Sequence, residues 1–353
     1  MKKFLALFIG LLLFDLASAQ PANYYNSANG LTGNQLKVAL HNIIKGHSSI
    51  SYGQLWNAFW STDNKGNGVV WDMYSDKPNG NSPYTYFLGQ DQCGNYNSEG
   101  DCYNREHSWP QSWFNEQTTP RTDLHHIFPT DGFVNGKRAN YPFGEVRSAS
   151  WTSQNGSKLG TCKTPGYSGV VFEPIDEYKG DFARALMYMS VRYYLEDGNW
   201  GSSDMTSKSE LKDWAINMLL RWNEQDPVSP KEKERNEAIY NDYQHNRNPF
   251  VDHPEYARMI WDPTWNSVQD MAESVFLFPN PVERGQSMHV SGNGDAFDAV
   301  AICDLTGRTL LKAFGNQVGE LTVALPVGLA KGCYIVKLMR KGSVVKYEKL
   351  LVK

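Results

Sequence analysis

Apolar residues recur every three to four positions across residues 31–60: Leu36, Val38, Ala39, Leu40, Ile43 and Ile44, then Tyr52, Leu55, Trp56 and Phe59. That period puts them on one face and predicts an amphipathic helical stretch. It returns over Gly180 to Leu195, where Phe182, Ala185, Leu186, Met189 and Tyr193 share a broad face. It returns again over Leu211 to Asn223, through Trp214, Ala215, Met218, Leu219 and Trp222. Stripes of Met and aromatic residues at helical spacing read as core. Ser229-Pro230 opens a further helix, Ser as N-cap and Pro at the first helical position, running to about Tyr243.

Between these helices the pattern is weaker. Residues 61–105 are rich in Gly, Asn and Asp, with strand-like pieces at Gly68 to Tyr74 and Tyr84 to Leu88. Residues 104–145 read as compact irregular structure around one short helix, and 148–175 as loop. From residue 279 alternation replaces the helical period, in Ser287 to Val290, Ala299 to Leu305, Leu321 to Leu325, Cys333 to Leu338 and Val344 to Val352. Short strands separated by turns over such a length fit a small β-sandwich. Phe278-Pro279-Asn280-Pro281 marks the junction. The expected fold class is therefore α+β, a mainly helical core followed by a small C-terminal β-sandwich.

The first residues read as an export signal. Lys2 and Lys3 precede an apolar run from Phe4 to Phe14, and Ala17-Ser18-Ala19 offers a small-residue cleavage site. The run stops at Asp15, short of a transmembrane span, and no later stretch is long enough. The expected organisation is a signal at 1–19, a core at 20–278 and a tail at 279–353. A secreted or outer-surface location follows.

Charge sharpens this division. The formal net charge of -4 excludes a histone-like polycation. The tail has 10 basic and 6 acidic residues, whereas 20–278 has 22 basic and 31 acidic, a net of -9. Any nucleic-acid contact by the core must come from a local site. Of five cysteines, Cys93 and Cys102 close a short Gly/Asn-rich loop and make the first-choice disulfide. Cys303 with Cys333 is a second pairing left open. No CxxC pair exists, which excludes a zinc ribbon.

Candidate chemistry concentrates in Asn104-Arg105-Glu106-His107-Ser108-Trp109-Pro110, Arg121-Thr122-Asp123-Leu124-His125-His126 and Pro129 to Asn140. Three of the eight histidines fall here, beside carboxylates, amides and three arginines. Hydrolysis of a phosphodiester needs a base for water, a hard cation for developing charge and positive groups for the phosphate. Histidine can serve as base near neutral pH, and Glu and Asn oxygens suit a hydrated Mg²⁺-like ion. Arginine supplies a bidentate phosphate clamp. Adjacent Glu106 and His107 point to opposite faces of an ideal strand, so both can serve one site only where the strand ends or bends. Asn135, 28 residues after His107, must return to that site, and a short helix would carry it there.

These residues, in this order, resemble the bacterial secreted and periplasmic endonuclease I family, over roughly residues 35–262. Lys179 to Ala185, Gln225-Asp226-Pro227-Val228 and Asn246 to Glu255 carry the resemblance further. It implies a helical core built around a ββα-metal, or His-Me, finger. His107 would activate water, and Glu106 and Asn135 would hold one divalent cation, Mg²⁺ first, with Mn²⁺ or Ca²⁺ as alternatives. The ion would stabilise the pentacovalent state and the departing 3′ oxygen. Asp123 and His125 would brace the site, and Arg121 and Arg138 would be candidates for phosphate contact. The resemblance implies a monomer that cuts DNA, and RNA as well, with little sequence preference, leaving 5′ phosphates. Arg247 and the Asp252-His253-Pro254-Glu255 turn read first as packing.

Residues 279–353 resemble the C-terminal sorting domain of the type IX secretion system of Bacteroidota. The matching features are Pro279-Asn280-Pro281, Cys303 to Arg308, Leu329 to Val336 and the terminal Lys349-Leu350-Leu351-Val352-Lys353. That resemblance implies the type IX machinery as a partner; an ordinary surface-binding sandwich is the alternative. Two other functions stay open for the whole: a metal-dependent phosphodiesterase of small substrates, and a catalytically weak surface module that binds nucleic acid or glycan.

Overall fold

The helical period of residues 31–60 resolves into two helices in the computed structural model, α1 (Gly33–Ile44) and α2 (Leu55–Thr62). The break between them contains Gly46, whose φ of 73° lies in the left-handed region that a β-carbon disfavours. The structure describes residues 21–262, 276–291, 297–315, 320–340 and 343–353. The expected export signal at 1–19 lies outside them. The chain divides into two compact units, one ending at Asp262 and the other starting at Pro263.

After α2 the first unit continues with β1 (Tyr103–His107), α3 (Thr118–Arg121), β2 (Ile127–Asp131) and α4 (Gly132–Arg138). Then come β3 (Val146–Thr152), β4 (Lys158–Cys162), β5 (Val170–Glu173) and α5 (Lys179–Arg192). The short β6 (Thr206–Ser207) and β7 (Glu210–Leu211) precede α6 (Asp213–Gln225), α7 (Pro230–Ala238), α8 (Pro249–Asp252) and α9 (Tyr256–Trp261). The fold is mixed α+β, as the patterning predicts.

Every residue of α5 is buried, so it forms the axis of the unit. A helix enclosed on all sides must neutralise whatever charge it carries. It does so with Lys179 against Glu173 at 2.8 Å and Arg184 against Glu232 at 2.6 Å. Ser229 caps α7 as expected, in a reciprocal capping box with Glu232. Beyond Ala238 the coil widens to a π-helical stretch, Ile239–Gln244.

Two readings of the polar middle differ from the structure. The stretch 148–175, expected as loop, instead holds most of a three-stranded antiparallel sheet in the order β3-β4-β5. Most of β3 faces solvent, so it carries Ser, Arg and Thr and shows no apolar alternation. Gly160 lets β4 approach its neighbour closely, since a β-carbon there would sit 2.1 Å from the Ser148 carbonyl oxygen. Conversely, Gly68 to Tyr74 and Tyr84 to Leu88 contribute isolated bridges, such as Val69 with Phe87, and no strand.

The second unit holds β8 (Phe276–Phe278), β9 (Ser287–Ser291), β10 (Ala299–Cys303), β11 (Thr309–Phe314), β12 (Glu320–Ala324), β13 (Gly332–Arg340) and β14 (Ser343–Val352). They form a four-stranded sheet, β11-β10-β13-β14, and a three-stranded sheet, β12-β9-β8. Val290, Val300, Ile302, Val323, Val336 and Leu350 share one apolar cluster. β8 lies ahead of residue 279 and pairs with β9. The Cys93–Cys102 disulfide is present, whereas Cys303 and Cys333 are free thiols. Among the described residues no helix is long and apolar enough to cross a membrane.

Candidate active site

β1 and β2 form an antiparallel hairpin in which Glu106 opposes Phe128 and His107 opposes Ile127, the last pair. The strand therefore ends at His107. α4 follows β2 without a linker because Asp131 serves as its N-cap, accepting from Val134 N at 2.8 Å. Asp131 also accepts from the Tyr86 hydroxyl at 2.5 Å and Gly100 N at 2.9 Å, which fixes the turn from strand to helix.

Alternation along β1 sorts the candidate residues into two groups. Asn104 and Glu106 leave one face and meet α4. Asn135 Nδ2 donates to Asn104 Oδ1 at 2.7 Å, and three residues on, Arg138 Nη1 stands 3.2 Å from Glu106 Oε1. Tyr74 donates its hydroxyl to the same Glu106 oxygen at 2.8 Å. Glu106 is 2% exposed, and burial raises its pKa against the opposing pull of Arg138.

Arg105 and His107 leave the other face. His107 is 4% exposed, and its Nε2 lies 3.1 Å from the Arg121 carbonyl oxygen. A carbonyl only accepts, so Nε2 carries the proton and Nδ1 keeps the ring's lone pair. Burial, followed by the neighbouring His126, pushes the His107 pKa down to about 3. Tyr52 stacks on the imidazole with ring centroids 6.1 Å apart and planes 22° from parallel.

Arg138 and Arg121 occupy different settings. Arg138 is 1% exposed and donates to the carbonyls of His107 at 3.0 Å and Ser108 at 2.6 Å. It lies inside the hairpin–helix unit, where a backbone phosphate cannot reach it without displacing those carbonyls. Arg121 is half-buried, with its guanidinium carbon 4.6 Å from the Tyr52 ring centroid.

Asp123 is fully buried and gathers donors from distant parts of the chain. Its Oδ2 accepts the hydroxyls of Tyr188 and Tyr193, each at 2.9 Å, and its Oδ1 accepts Gln244 Nε2 at 3.0 Å. It also accepts His125 N at 3.1 Å. Burial alone would raise its pKa; His47, His125 and His126 around it bring it below the ordinary carboxylate range. His125 donates Nε2–H to the Asn246 carbonyl at 3.2 Å. Asp123 and His125 thus tie the segment before β2 to α5 and to the chain after α7.

Sequence reasoning missed several partners. His47 stands 3.8 Å from Asp123 Oδ2. Arg235 donates to the carbonyls of Leu124 and Ile127, both at 2.7 Å, and pairs with Asp63 at 2.9 Å. Nothing local marks these residues, because their partners lie more than seventy positions away. Arg105 was legible, two residues before His107 and hence on its face. Arg247 pairs with Asp252 at 2.7 Å and Glu237 at 2.8 Å, a packing role.

The donor set fits a hard, hydrated cation. Glu106 offers a carboxylate of which Tyr74 and Arg138 engage one oxygen, and Asn135, its amide hydrogens turned to Asn104, offers a carbonyl oxygen. Oxygen donors without thiolate or imidazole suit Mg²⁺ or Ca²⁺ better than zinc. Among the described residues no three His, Cys, Asp or Glu side chains gather as a ready-made cage. A two-ligand site of this kind leaves most of the shell to water and substrate.

The family profile described as Endonuclease I matches residues 32–255. An extracellular ribonuclease of Bacillus amyloliquefaciens is 43% identical over 253 residues, covering 69% of this chain and 80% of that protein. An extracellular ribonuclease of Bacillus subtilis (strain 168) is 41% identical over 252 residues, with the same coverage of each. An extracellular deoxyribonuclease of Aeromonas hydrophila is 30% identical over 132 residues, 37% of this chain and 48% of that protein.

Proposed function

The chain belongs to the endonuclease I family, and from that premise we propose that it is a secreted, metal-dependent endonuclease that hydrolyses DNA and RNA with little sequence preference. One observation carries the reading: His107, at the end of β1 beside Glu106, has its Nε2–H anchored on the Arg121 carbonyl, so Nδ1 holds the ring's lone pair. A backbone carbonyl fixes this tautomer as firmly as a carboxylate would, without adding negative charge near a phosphate.

Nδ1 takes a proton from the attacking water, and the 3′ oxygen leaves so that the products carry 5′ phosphates. Glu106 and Asn135 would hold the cation, Mg²⁺ before Mn²⁺ or Ca²⁺. When bound, it supplies Lewis-acid stabilisation of the charge that develops on the phosphate. Arg138 keeps the strand end and Glu106 in register, and Asp123 with His125 holds the segment that presents Arg121. Arg121 faces the substrate backbone. Similarity to extracellular ribonucleases supports export, and we read residues 1–19 as the signal and the second unit as a sorting domain for type IX secretion. The protein acts as a monomer.

Plasmid DNA and a structured RNA, each incubated with Mg²⁺ or with EDTA, test the reading. Both should be cut in Mg²⁺ and spared in EDTA, and His107→Ala should be inactive with an unchanged thermal melt. An intact plasmid and intact RNA across Mg²⁺, Mn²⁺ and Ca²⁺ would sink the proposal.

A further inference from the structure

Arg105 stands on the same face of β1 as His107, two residues before it, and has no place in the chemistry above. Its guanidinium carbon lies 3.6 Å from the Tyr52 ring centroid and 4.4 Å from that of Trp56, and its Nη1 donates to the Tyr52 carbonyl at 2.8 Å. The ring contact of Arg121, at 4.6 Å, brings a second guanidinium to the same Tyr52. Tyr52 in turn stacks on His107. All four of Tyr52, Trp56, Arg105 and Arg121 are half-buried and reach the surface.

The lack of a carboxylate partner sets this pair apart from the other buried and half-buried arginines of the unit. Arg138, Arg184, Arg192, Arg235, Arg247 and Arg258 each lie within ion-pair distance of a carboxylate. Among the described residues neither Arg105 nor Arg121 does, although acidic residues outnumber basic ones in this unit. Arg121 Nε is buried with no hydrogen-bond partner. Two unneutralised guanidiniums held against one ring repel one another, and an anion between them relieves that repulsion while taking up their spare donors.

We propose that Arg105 and Arg121, splayed on Tyr52 and Trp56, form a clamp for a second backbone phosphate, neighbouring the one that is cut. The inference rests on the nuclease reading and deepens it. A clamp beside the base requires a substrate with at least two phosphates and sets which bond reaches His107. Its target is the phosphodiester backbone, shared by DNA and RNA, which agrees with a site that reads no bases.

Arg105→Gln and Arg105→Lys in the full chain test this. Activity is followed on a single-stranded DNA and an RNA of about 20 nucleotides, and on bis(p-nitrophenyl) phosphate, which has one phosphate. A charged hydrogen bond of the usual strength corresponds to a loss of about 10- to 100-fold in kcat/KM on the oligonucleotides, chiefly through KM, with a markedly smaller loss on the single-phosphate ester. In a His107→Ala background, the dependence of oligonucleotide affinity on salt should flatten by about 0.7 in log–log slope for Arg105→Gln and recover for Arg105→Lys. The lysine variant keeps a cation at the Tyr52 carbonyl, so it guards against loss through misfolding. Equal losses on long and single-phosphate substrates, or an unchanged salt slope, would overturn the clamp alone. A wild-type protein that cuts none of the substrates would overturn the nuclease reading and the clamp with it.

Discussion

Arg138 Nη1 stands 3.2 Å from Glu106 Oε1 and 3.0 Å from the His107 carbonyl oxygen, so one buried guanidinium holds the two adjacent residues on which the site depends. Glu106 and His107 leave β1 on opposite faces, and only a group reaching both backbone and side chain can fix them together.

Arg138→Met should therefore act as a stability variant. It removes the partner of a buried carboxylate and strands the carbonyls of His107 and Ser108, a loss that typically costs about 3–5 kcal/mol. Urea unfolding would show that drop, and the salt dependence of oligonucleotide binding would keep its slope. A flattened slope with intact stability would instead return Arg138 to phosphate contact.

Stability should fall with acid well above the carboxylate range. Burial lowers the pKa of His126 to about 4 and of His125 to about 3, against about 6.5 in an unfolded chain. Between those values the unfolded state binds more protons, so stability is full above pH 6.5 and drains as pH falls towards 4. Asp123, held below the ordinary range, keeps its contribution above the unfolded carboxylate pKa and loses it only at lower pH. Thermal melts without divalent ions from pH 7.5 to 4.5 should show a falling Tm. His126→Gln, which can still donate to the Pro120 carbonyl, should lessen that slope. An equally steep slope in the variant would remove His126 as a source.

Local pattern disclosed what local physics decides. Ser229-Pro230 announced a helix start because a cap needs only its own turn, and the Met and aromatic stripes announced α5 and α6 because burial repeats with the helix. Alternation through Asn104, Glu106 and His107 separated the two faces of β1 before any coordinates. Strand β3 escaped because a sheet with one wet face can be built from Ser, Arg and Thr, leaving no apolar period to read. The Asp123 network escaped for another reason: His47, Tyr188, Tyr193 and Gln244 approach it from three separate segments. By residue type Arg138 reads as a phosphate ligand; the structure shows that backbone carbonyls take its Nη1 and Nη2 donors.

The Cys93–Cys102 bridge supports α4 through Tyr96, which lies in the loop it closes. Tyr96 packs against glycines of α4, and a β-carbon on Gly132 would come within 2.6 Å of its ring. Cys93→Ser with Cys102→Ser should lower stability by about 2–3 kcal/mol, the chain-entropy scale for so short a loop. Guanidinium unfolding measures this directly, and a change below about 0.5 kcal/mol would show that the loop holds its shape without the bridge.

Asn104 offers the sharpest test of how the cation site is oriented. Its Oδ1 accepts Asn135 Nδ2 at 2.7 Å, which commits the amide hydrogens and turns the Asn135 carbonyl oxygen away from Asn104. A residue that orients a ligand in this way typically accounts for about 10- to 100-fold in metal affinity. Asn104→Ala should therefore raise the Mg²⁺ concentration for half-maximal cleavage by that factor, with maximal rate at saturating Mg²⁺ falling far less. Asn104→Asp, which keeps the acceptor and adds charge, should restore most of the affinity. A loss of maximal rate with no shift in the Mg²⁺ titration would mean that Asn104 serves the strand and not the ligand, and Asn135 would lose its strongest structural argument as a metal donor.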